Sequence, residues 1–233
     1  NWWKTYKDEG YRLIDFEAYP TAQGTRYAGV WRQDGNRLNW SGKTAVDKAI
    51  KQYKNTNKLA GISVAIARNG KIIYSRGFGF ADIENKKVYS ADTVSRHASV
   101  SKLVTALLTM RLLDLNQISL DKPTRSYVPS LPKHHTHTVE QLMRHRSGIR
   151  HYRGSKRKNC EVPNNSAWKD SSNTQYSTAT KAATLFQDNP LMFSPDSKRC
   201  YTTHGYTVLG AALEGATNKS LSGLINREIN QRL

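Results

Sequence analysis

The strongest constraint on the fold is an alternation of apolar and polar residues over 61–82, GISVAIARNGKIIYSRGFGFAD. Ile62, Val64 and Ile66 fall on every second position, so they share one face of an extended strand. An Asn-Gly pair at 69–70 then supplies the positive φ angles that a two-residue hairpin turn requires. The segment therefore predicts an antiparallel β-hairpin.

Two helical patterns flank this hairpin. Residues 41–56, SGKTAVDKAIKQYKNT, carry apolar residues near helical spacing behind a serine. Residues 99–117, SVSKLVTALLTMRLLDLNQ, are apolar almost all round, which is typical of a helix that is buried on most sides. Shorter helical patterns follow at 138–145, 179–186 and 203–217.

The first 40 residues differ from the rest of the chain. GYRLIDFEAYPTAQGTRYAGVWRQDG, residues 10–35, reads as two strands joined by a turn at PTAQG. So little aliphatic content would not fold robustly alone. In GYRL and RYAGVW the stretch resembles a unit of the bacterial tandem-repeat family. We therefore predict a small strand-rich, repeat-like module at 1–40 and a second domain over 41–233.

Positive charge dominates the composition, with 36 Lys and Arg against 18 Asp and Glu. The densest cluster is RHRSGIRHYRGSKRK, residues 144–158, which we interpret as a solvated, flexible loop that offers a site to an anionic surface or matrix partner. It lacks the aromatic platforms of single-strand binders and the form of a recognition helix, so no nucleic-acid partner is predicted. No run of about 18 apolar residues predicts a membrane-spanning helix.

The two cysteines, Cys160 and Cys200, do not have metal-site spacing, and their even number favours one disulfide. Asn39, Asn164 and Asn218 begin glycosylation sequons. Together these features favour a secreted protein, with a periplasmic or mitochondrial location as the alternative.

Four histidines are candidates for a functional role. His134, His135 and His137 form HHTH, which is able to bind a transition metal, but no Cys or acidic cluster completes a site. We predict neither a metal nor any other cofactor. His204 is interpreted as a packing residue.

A serine stands three positions before a lysine at Ser99 and Lys102, at the start of the apolar helix. Residues three apart share one helix face, so the lysine lies over the same turn as the serine. A serine hydroxyl becomes a nucleophile when a nearby base takes its proton. Ser155 and Ser166 also precede a lysine by three residues, but no apolar scaffold surrounds them. The alternative is that Ser99 only caps the helix.

The context of this pair resembles a known superfamily. The resemblance is carried by HASVSK (97–102), LDLNQISLDKPTRSYVPSLP (113–132), VEQLMRHRSGIRHY (139–152) and NPLMFSPDSKRCYTTHGYTVLGAALEGATNKSL (189–221). In order and spacing, these segments resemble the serine β-lactamase and penicillin-binding-protein superfamily. The nearest branches are the class C-like esterases and peptidases, with the last segment most similar to the serine β-lactamase-like proteins.

The resemblance implies roles for four residues. Ser99 would be the acylated nucleophile, Lys102 its proton partner, and Tyr201 the tyrosine that carries the proton to the leaving group. Thr203 stands where many members have Asn, and a single hydroxyl replaces the two groups of an amide. This departure weakens the expectation of β-lactam hydrolysis.

The resemblance also implies an α/β (α+β) fold, with an antiparallel sheet flanked by helices and an all-helical region that carries Tyr201. The family's third motif, Lys or His followed by Thr or Ser and Gly, is absent from residues 205–233, so the domain is expected to be incomplete at its C-terminal end. The implied activity is a serine hydrolase that acts on a peptide or a small ester. The alternatives are an inactive secreted binding or matrix protein and a bacterial D-Ala-D-Ala peptidase or β-lactamase.

Overall fold

The structure is a computed structural model that describes residues 5–6, 11–33, 40–158, 160–170 and 174–232. The chain divides into two compact units, Asn1–Arg96 and His97–Leu233. Within these ranges, the two larger antiparallel sheets belong to the first unit, and the second unit is mainly helical. The fold is thus α+β, as the sequence predicted.

The first unit contains two hairpins and one long helix. Its elements are β1 (Tyr11–Thr21), β2 (Gly24–Gln33), α1 (Lys43–Thr56), β3 (Gly61–Arg68), β4 (Lys71–Asp82) and β5 (Lys87–Val88). Strands β1 and β2 pair antiparallel around the predicted turn. Strands β3, β4 and β5 form a second antiparallel sheet in that order.

The hairpin of β3 and β4 has the turn that its sequence predicts. Asn69 and Gly70 adopt φ angles of 50° and 71°, both in the left-handed region. Helix α1 contacts this sheet through Asp47, which accepts a hydrogen bond of 2.6 Å from the hydroxyl of the fully buried Tyr74. Arg76, also on β4, forms an ion pair with the same carboxylate. One acidic side chain therefore attaches the helix to the sheet.

The second unit is built around one central helix. Its elements are α2 (Ser101–Asp114), α3 (Val139–Met143), β6 (Lys156–Arg157), β7 (Cys160–Glu161), α4 (Ala179–Ala183), α5 (Thr203–Thr217) and α6 (Leu221–Glu228). Five apolar side chains of α5 have no exposed surface: Val208, Leu209, Ala211, Ala212 and Leu213. They form one core with Leu108 and Leu112 of α2, Leu142 of α3 and Leu224 of α6. Among the described residues, no helix is both long and apolar enough to cross a bilayer.

The prediction that α2 is buried on most sides is wrong. Only Leu108, Thr109 and Leu112 are buried, whereas 72% of Leu103 and 53% of Leu107 are exposed. The reason is that the apolar residues of α2 occupy several faces, and only the face toward the α5 core is covered. Burial depends on which elements pack nearby, which the apolar pattern alone does not report.

The interpretation of 144–158 as a solvated, flexible loop is also wrong for its first half. Arg150 is 1% exposed, and residues 147–151 are all buried. Arg144 pairs with Glu140, Arg146 with Asp196, and both Arg150 and Arg153 with Asp170, as the ion pairs of this segment show. Because internal carboxylates neutralise these guanidinium groups, the segment is able to pack.

Glu214 of α5 fixes the starts of two neighbouring helices. Its Oε2 accepts a hydrogen bond of 2.8 Å from the backbone N–H of Ala179, the first residue of α4. Its Oε1 accepts one of 3.0 Å from Leu221, the first residue of α6. A helix cannot satisfy these first N–H groups itself, so the carboxylate fills that need at both helices.

Replacement of Glu214 is therefore expected to destabilise the second unit. In Glu214→Gln the amide accepts from one N–H and turns a donor toward the other, so the free energy of unfolding should fall by about 1–3 kcal/mol. Urea unfolding of the variant measures this loss. Glu140→Gln is the matched control, because its exposed pair with Arg144 should contribute about 0.5 kcal/mol or less. Equal losses in the two variants would contradict the role of Glu214.

Candidate active site

Ser99 lies in a short 3₁₀ turn, Ala98–Val100, directly before α2. The preceding Ala98 has a φ of 44°, a left-handed conformation that L side chains rarely adopt and that is strained for alanine. Helix α2 has no side-chain cap, so the alternative of Ser99 as a helix cap does not hold. The serine is exposed.

Lys102 lies in the first turn of α2, and its ammonium nitrogen is 3.4 Å from Ser99 Oγ. The same nitrogen donates to Thr203 Oγ1 at 3.3 Å, at the first residue of α5. From 102 positions away in the sequence, the Tyr201 hydroxyl approaches Ser99 Oγ to 2.6 Å. The four residues that the sequence singled out thus meet at one point, between the starts of α2 and α5.

The electrostatics of this cluster favour ionisation of Tyr201. Burial alone would raise the pKa of its hydroxyl, but hydrogen bonds with Lys102 and Ser99 and the positive charge of Lys102 outweigh burial. The net pKa of Tyr201 is lowered from its ordinary value near 10. The lowered pKa makes the phenolate form of Tyr201 easier to reach than that of an ordinary tyrosine.

The loop that carries Tyr201 is held by a disulfide. Cys160 of β7 is bonded to Cys200, with the two Cα atoms 5.5 Å apart, so the structure contains the predicted pairing. The Cys200 backbone N–H also donates to the carbonyl of His145 at 2.8 Å. Because Cys200 precedes Tyr201 directly, both contacts restrict where the tyrosine can lie.

Two histidines that sequence reasoning missed surround Tyr201. The ring centroid of His145 is 4.5 Å from that of Tyr201, and the ring centroid of His151 is 5.4 Å away. Their Nδ1 atoms each accept a hydrogen bond of 3.2 Å, His145 from the backbone N–H of Thr202 and His151 from that of Thr203. One clue to these histidines lay in the sequence, in their position within RHRSGIRHY. The basic residues of that stretch pointed to a charged loop, so the histidines were not identified as site residues.

Both histidines are kept neutral at pH 7. Burial is the largest cause, and the positive charges of Arg199, Lys102 and Arg157 add to it for His145. For His151 the charge of Arg157 comes next after burial. The pKa of each is lowered to about 4. A neutral imidazole keeps a lone pair on Nδ1, which these backbone hydrogen bonds require.

A cleft of about 540 Å³ opens beside the cluster. Lys102 and Thr203 line its near end, and the side chains of Thr105 and Thr207 lie farther along α2 and α5. The cleft brings solvent to the side of Lys102.

The other candidate residues lie away from the cluster. Asn39 falls outside the described residues. Asn164 and Asn218 are exposed, and Asn218 ends α5 in a left-handed conformation with a φ of 54°. His204 is buried, and its ring stacks on Phe186 with the centroids 4.2 Å apart, in agreement with a packing role.

The HHTH histidines form hydrogen bonds with one another and with the backbone. His135 Nδ1 lies 3.0 Å from His137 Nε2, and His135 Nε2 lies 2.7 Å from the carbonyl of Gln187. His134 lies near the same carbonyl. Within the part of the chain that the structure describes, no group of three or more His, Cys, Asp or Glu is arranged to hold a metal ion.

The fold is the β-lactamase/transpeptidase-like fold, and the cluster around Ser99 places a serine at its candidate active site. The chain belongs to the Beta-lactamase family, which it matches over residues 46–233. Residues 1–34 match a second family, described as "Polyglycine hydrolase-like, structural repeat".

Relatives support this assignment across most of the chain. The mitochondrial serine beta-lactamase-like protein LACTB of Homo sapiens is 28% identical over 72% of this chain and 41% of its own length. Esterase EstB of Burkholderia gladioli is 27% identical over 81% of this chain and 49% of its own. The crystal structure of FmtA from Staphylococcus aureus covers 84% of this chain and 49% of its own, with 25% identity and a TM-score of 0.63. The chain therefore spans less than half of the length of these relatives.

The neutral buried histidines predict that acid destabilises the fold. The pKa of His137 is lowered to about 3 and those of His145 and His151 to about 4, whereas an unfolded chain has histidines near 6.5. Between these values the unfolded chain binds more protons, so the free energy of unfolding should fall as pH drops below about 6.5. Each histidine contributes up to about 1.4 kcal/mol per pH unit.

Urea unfolding at several pH values between 7.5 and 4 measures this slope. His145→Gln should reduce it, because glutamine gains no charge and can still accept from Thr202. His97→Gln, which removes an exposed histidine, should leave the slope unchanged. A slope unaffected by His145→Gln would show that another group causes the acid sensitivity.

Proposed function

We propose that this protein is a serine hydrolase that cleaves an ester or peptide substrate through an acyl-enzyme on Ser99. The observation that carries the proposal is the position of Ser99 Oγ, 2.6 Å from the Tyr201 hydroxyl and 3.4 Å from the Lys102 ammonium. The serine is exposed while Lys102 and Tyr201 are partly buried, as expected for a nucleophile that faces solvent while its proton partners are held by the fold.

In the first half of the reaction, the ionised Tyr201 oxygen takes the hydroxyl proton as Ser99 Oγ bonds to the acyl carbon. The bond from that carbon to the leaving group then breaks, and the leaving group receives the proton back from Tyr201. Lys102 holds a positive charge beside the phenolate, which favours the ionised form. Its hydrogen bond to Thr203 fixes the ammonium in place.

In the second half, water attacks the ester carbon on Ser99 and loses a proton to the same tyrosine oxygen. Breaking the bond to Ser99 Oγ releases the acid, and the proton returns to the serine. General acid–base transfer of this kind contributes about 10²–10⁴-fold to the rate. The mechanism needs no metal or organic cofactor.

Two observations bear on the substrate. A relative named an esterase aligns over 81% of this chain, which favours an ester. The N-terminal match to a repeat of polyglycine hydrolase-like proteins favours a peptide, with a glycine-rich sequence as the first to test. With Thr203 in place of the family's Asn, one hydroxyl remains where an amide would offer two groups, so a β-lactam is the weaker candidate.

We further propose that the protein is secreted. A disulfide persists in oxidising compartments, and Asn164 and Asn218 are exposed positions for glycans. When the chain is expressed through a eukaryotic secretory pathway, treatment with an N-glycosidase should lower its mass at these two sites. An unchanged mass, or recovery of the native protein from mitochondria, would count against secretion.

The nucleophile can be identified by covalent labelling. A fluorophosphonate probe should react with the full chain, and Ser99→Ala should abolish the label, because Ser99 is the serine within the described ranges that has both proton partners. Ser101→Ala, an exposed neighbour in the first turn of α2, is the matched control and should retain it. A label that survives Ser99→Ala refutes the assignment. An unlabelled parent chain would favour the alternative of an inactive binding protein.

The proton carrier can be identified from the pH dependence of ester hydrolysis. Because the phenolate is the base, kcat/KM should rise with pH and level off below the ordinary tyrosine pKa near 10, in line with the lowered pKa of Tyr201. Tyr201→Phe should remove this rise and reduce kcat/KM by about 10²-fold or more.

Lys102→Arg tests the second partner. Arginine keeps the charge but cannot release a proton. Because Lys102 acts by its charge in the mechanism above, this variant should keep most of the activity, whereas a loss would show that lysine shares in proton transfer. Activity of Lys102→Arg equal to that of the parent would limit Lys102 to an electrostatic role. Parent-like activity of Tyr201→Phe would remove Tyr201 from the mechanism.

A further inference from the structure

Three cations in the basic segment have no carboxylate partner among the described residues. Ion pairs account for the four arginines at 144–153, as described above, but none involves Lys156, Arg157 or Lys158. All three of these side chains are exposed. The uncompensated part of the segment is therefore confined to one strand and the residue that follows it.

Arg157 differs from its two neighbours in its position. Its guanidinium carbon lies 4.5 Å from the centroid of the Tyr201 ring. The hydroxyl of the same ring contacts Ser99. The guanidinium and the serine are thus both neighbours of Tyr201.

The backbone holds Arg157 at this position. In the β6–β7 ladder its pairing partner is Cys160, and Cys160 is bonded to Cys200. Cys200 in turn precedes Tyr201. The ladder and the disulfide therefore link the arginine to the tyrosine through a short path, which makes its place over the ring a property of the fold.

The surroundings of Ser99 are positive. Arg157 and Lys102 both help to lower the pKa values of His145 and His151, so their charges are felt throughout the cluster. The acidic group that opposes them at His151 is Asp170, which is already paired with Arg150 and Arg153. The carboxylate of the β6–β7 ladder, Glu161, stands opposite Lys156 rather than Arg157. An anion that approaches Arg157 therefore meets a mainly positive surface.

We propose that Arg157 determines specificity by binding an anionic group, a carboxylate or a phosphate, of the substrate whose acyl carbon Ser99 attacks. This inference rests on the proposed function and names the substrate class for it. A guanidinium presents two parallel N–H groups to such an anion and remains charged at every working pH. Because Arg157 is exposed beside the tyrosine ring, an anion from solvent can reach its N–H groups.

Matched esters test the proposal in the full chain. On the acyl side, para-nitrophenyl hydrogen succinate is compared with the neutral para-nitrophenyl butyrate. On the leaving-group side, para-acetoxybenzoate and para-acetoxyphenyl phosphate are compared with methyl para-acetoxybenzoate. The preferred anion identifies which side of the scissile bond Arg157 serves and whether a carboxylate or a phosphate is bound.

The parent should favour one anionic ester over its neutral partner in kcat/KM. Arg157→Gln should reduce that ratio by about tenfold to a hundredfold, the range of a charge-assisted hydrogen bond, and Arg157→Lys should restore part of it. Lys156→Gln is the matched control, since it removes the same charge from the adjacent residue of the strand, whose side chain points to the opposite face. It should leave the ratio unchanged.

Three results would overturn the proposal: a parent with no preference for any anion, an equal loss on charged and neutral esters in Arg157→Gln, and an equal change of the ratio in Lys156→Gln. The second would mean that Arg157 only holds Tyr201, and the third that bulk charge alone attracts the anion.

A binding experiment separates this inference from the proposed function. Ser99→Ala protein, which lacks the nucleophile, is titrated calorimetrically with each of the three anionic esters and with its neutral partner. Tighter binding of one anion by about tenfold, lost on adding Arg157→Gln, supports the proposal even if the parent turns over no ester. Equal affinities of every anion and its neutral partner refute it, even if fluorophosphonate labels Ser99.

Discussion

The second unit depends on the buried ion pair between Arg150 and Asp170. Arg150 is 1% exposed, and its Nη1 lies 2.6 Å from the Asp170 carboxylate. The same guanidinium donates to Asn189 at 2.7 Å and to the carbonyl of Lys169 at 2.6 Å. Breaking such a pair by removing one partner leaves a buried charge, at a typical loss of about 3–5 kcal/mol. The pair thus holds together three chain segments that lie far apart in the sequence and contain few regular elements.

The hydrogen bonds around Arg150 continue into the candidate active site. The carbonyl of Arg150 accepts a hydrogen bond of 2.7 Å from the Thr202 hydroxyl, and the same hydroxyl accepts from the N–H of Gly205 at the start of α5. The histidines at 145 and 151 hold the backbone N–H groups on either side of that hydroxyl. The residue before them, Tyr201, is left with little freedom except at its exposed hydroxyl. Charge buried on one side of the loop therefore helps to fix the Tyr201 hydroxyl on the other side, next to Ser99.

Local patterns were predicted well and long-range contacts were not. The Asn-Gly hairpin and the bounds of α5 follow from turn chemistry and helical periodicity, which depend only on neighbouring residues. Ser99 and Lys102 are three residues apart across the start of α2, so spacing brings them together, but Tyr201 joins them from 102 residues beyond Ser99 and was found only by resemblance. The exposure of Leu103 and the burial of Arg150 were missed because both depend on partners distant in the sequence. Burial of a charge is predictable only when its counter-charge is known, and here that was Asp170.

Net charge is informative only after the internal pairs are subtracted. The basic segment suggested a diffuse surface for anions, yet four of its arginines are occupied by carboxylates of the same chain. What remains is a short run that begins at β6, and the ladder and the disulfide bring one of its residues, Arg157, over the ring of Tyr201. A positive charge there helps to keep the neighbouring histidines neutral, and in the role that we propose it also binds the anionic group of the substrate. The same residue can thus support both the geometry of the site and its choice of substrate, and for that reason the ratio between charged and neutral esters, rather than activity alone, separates the two roles.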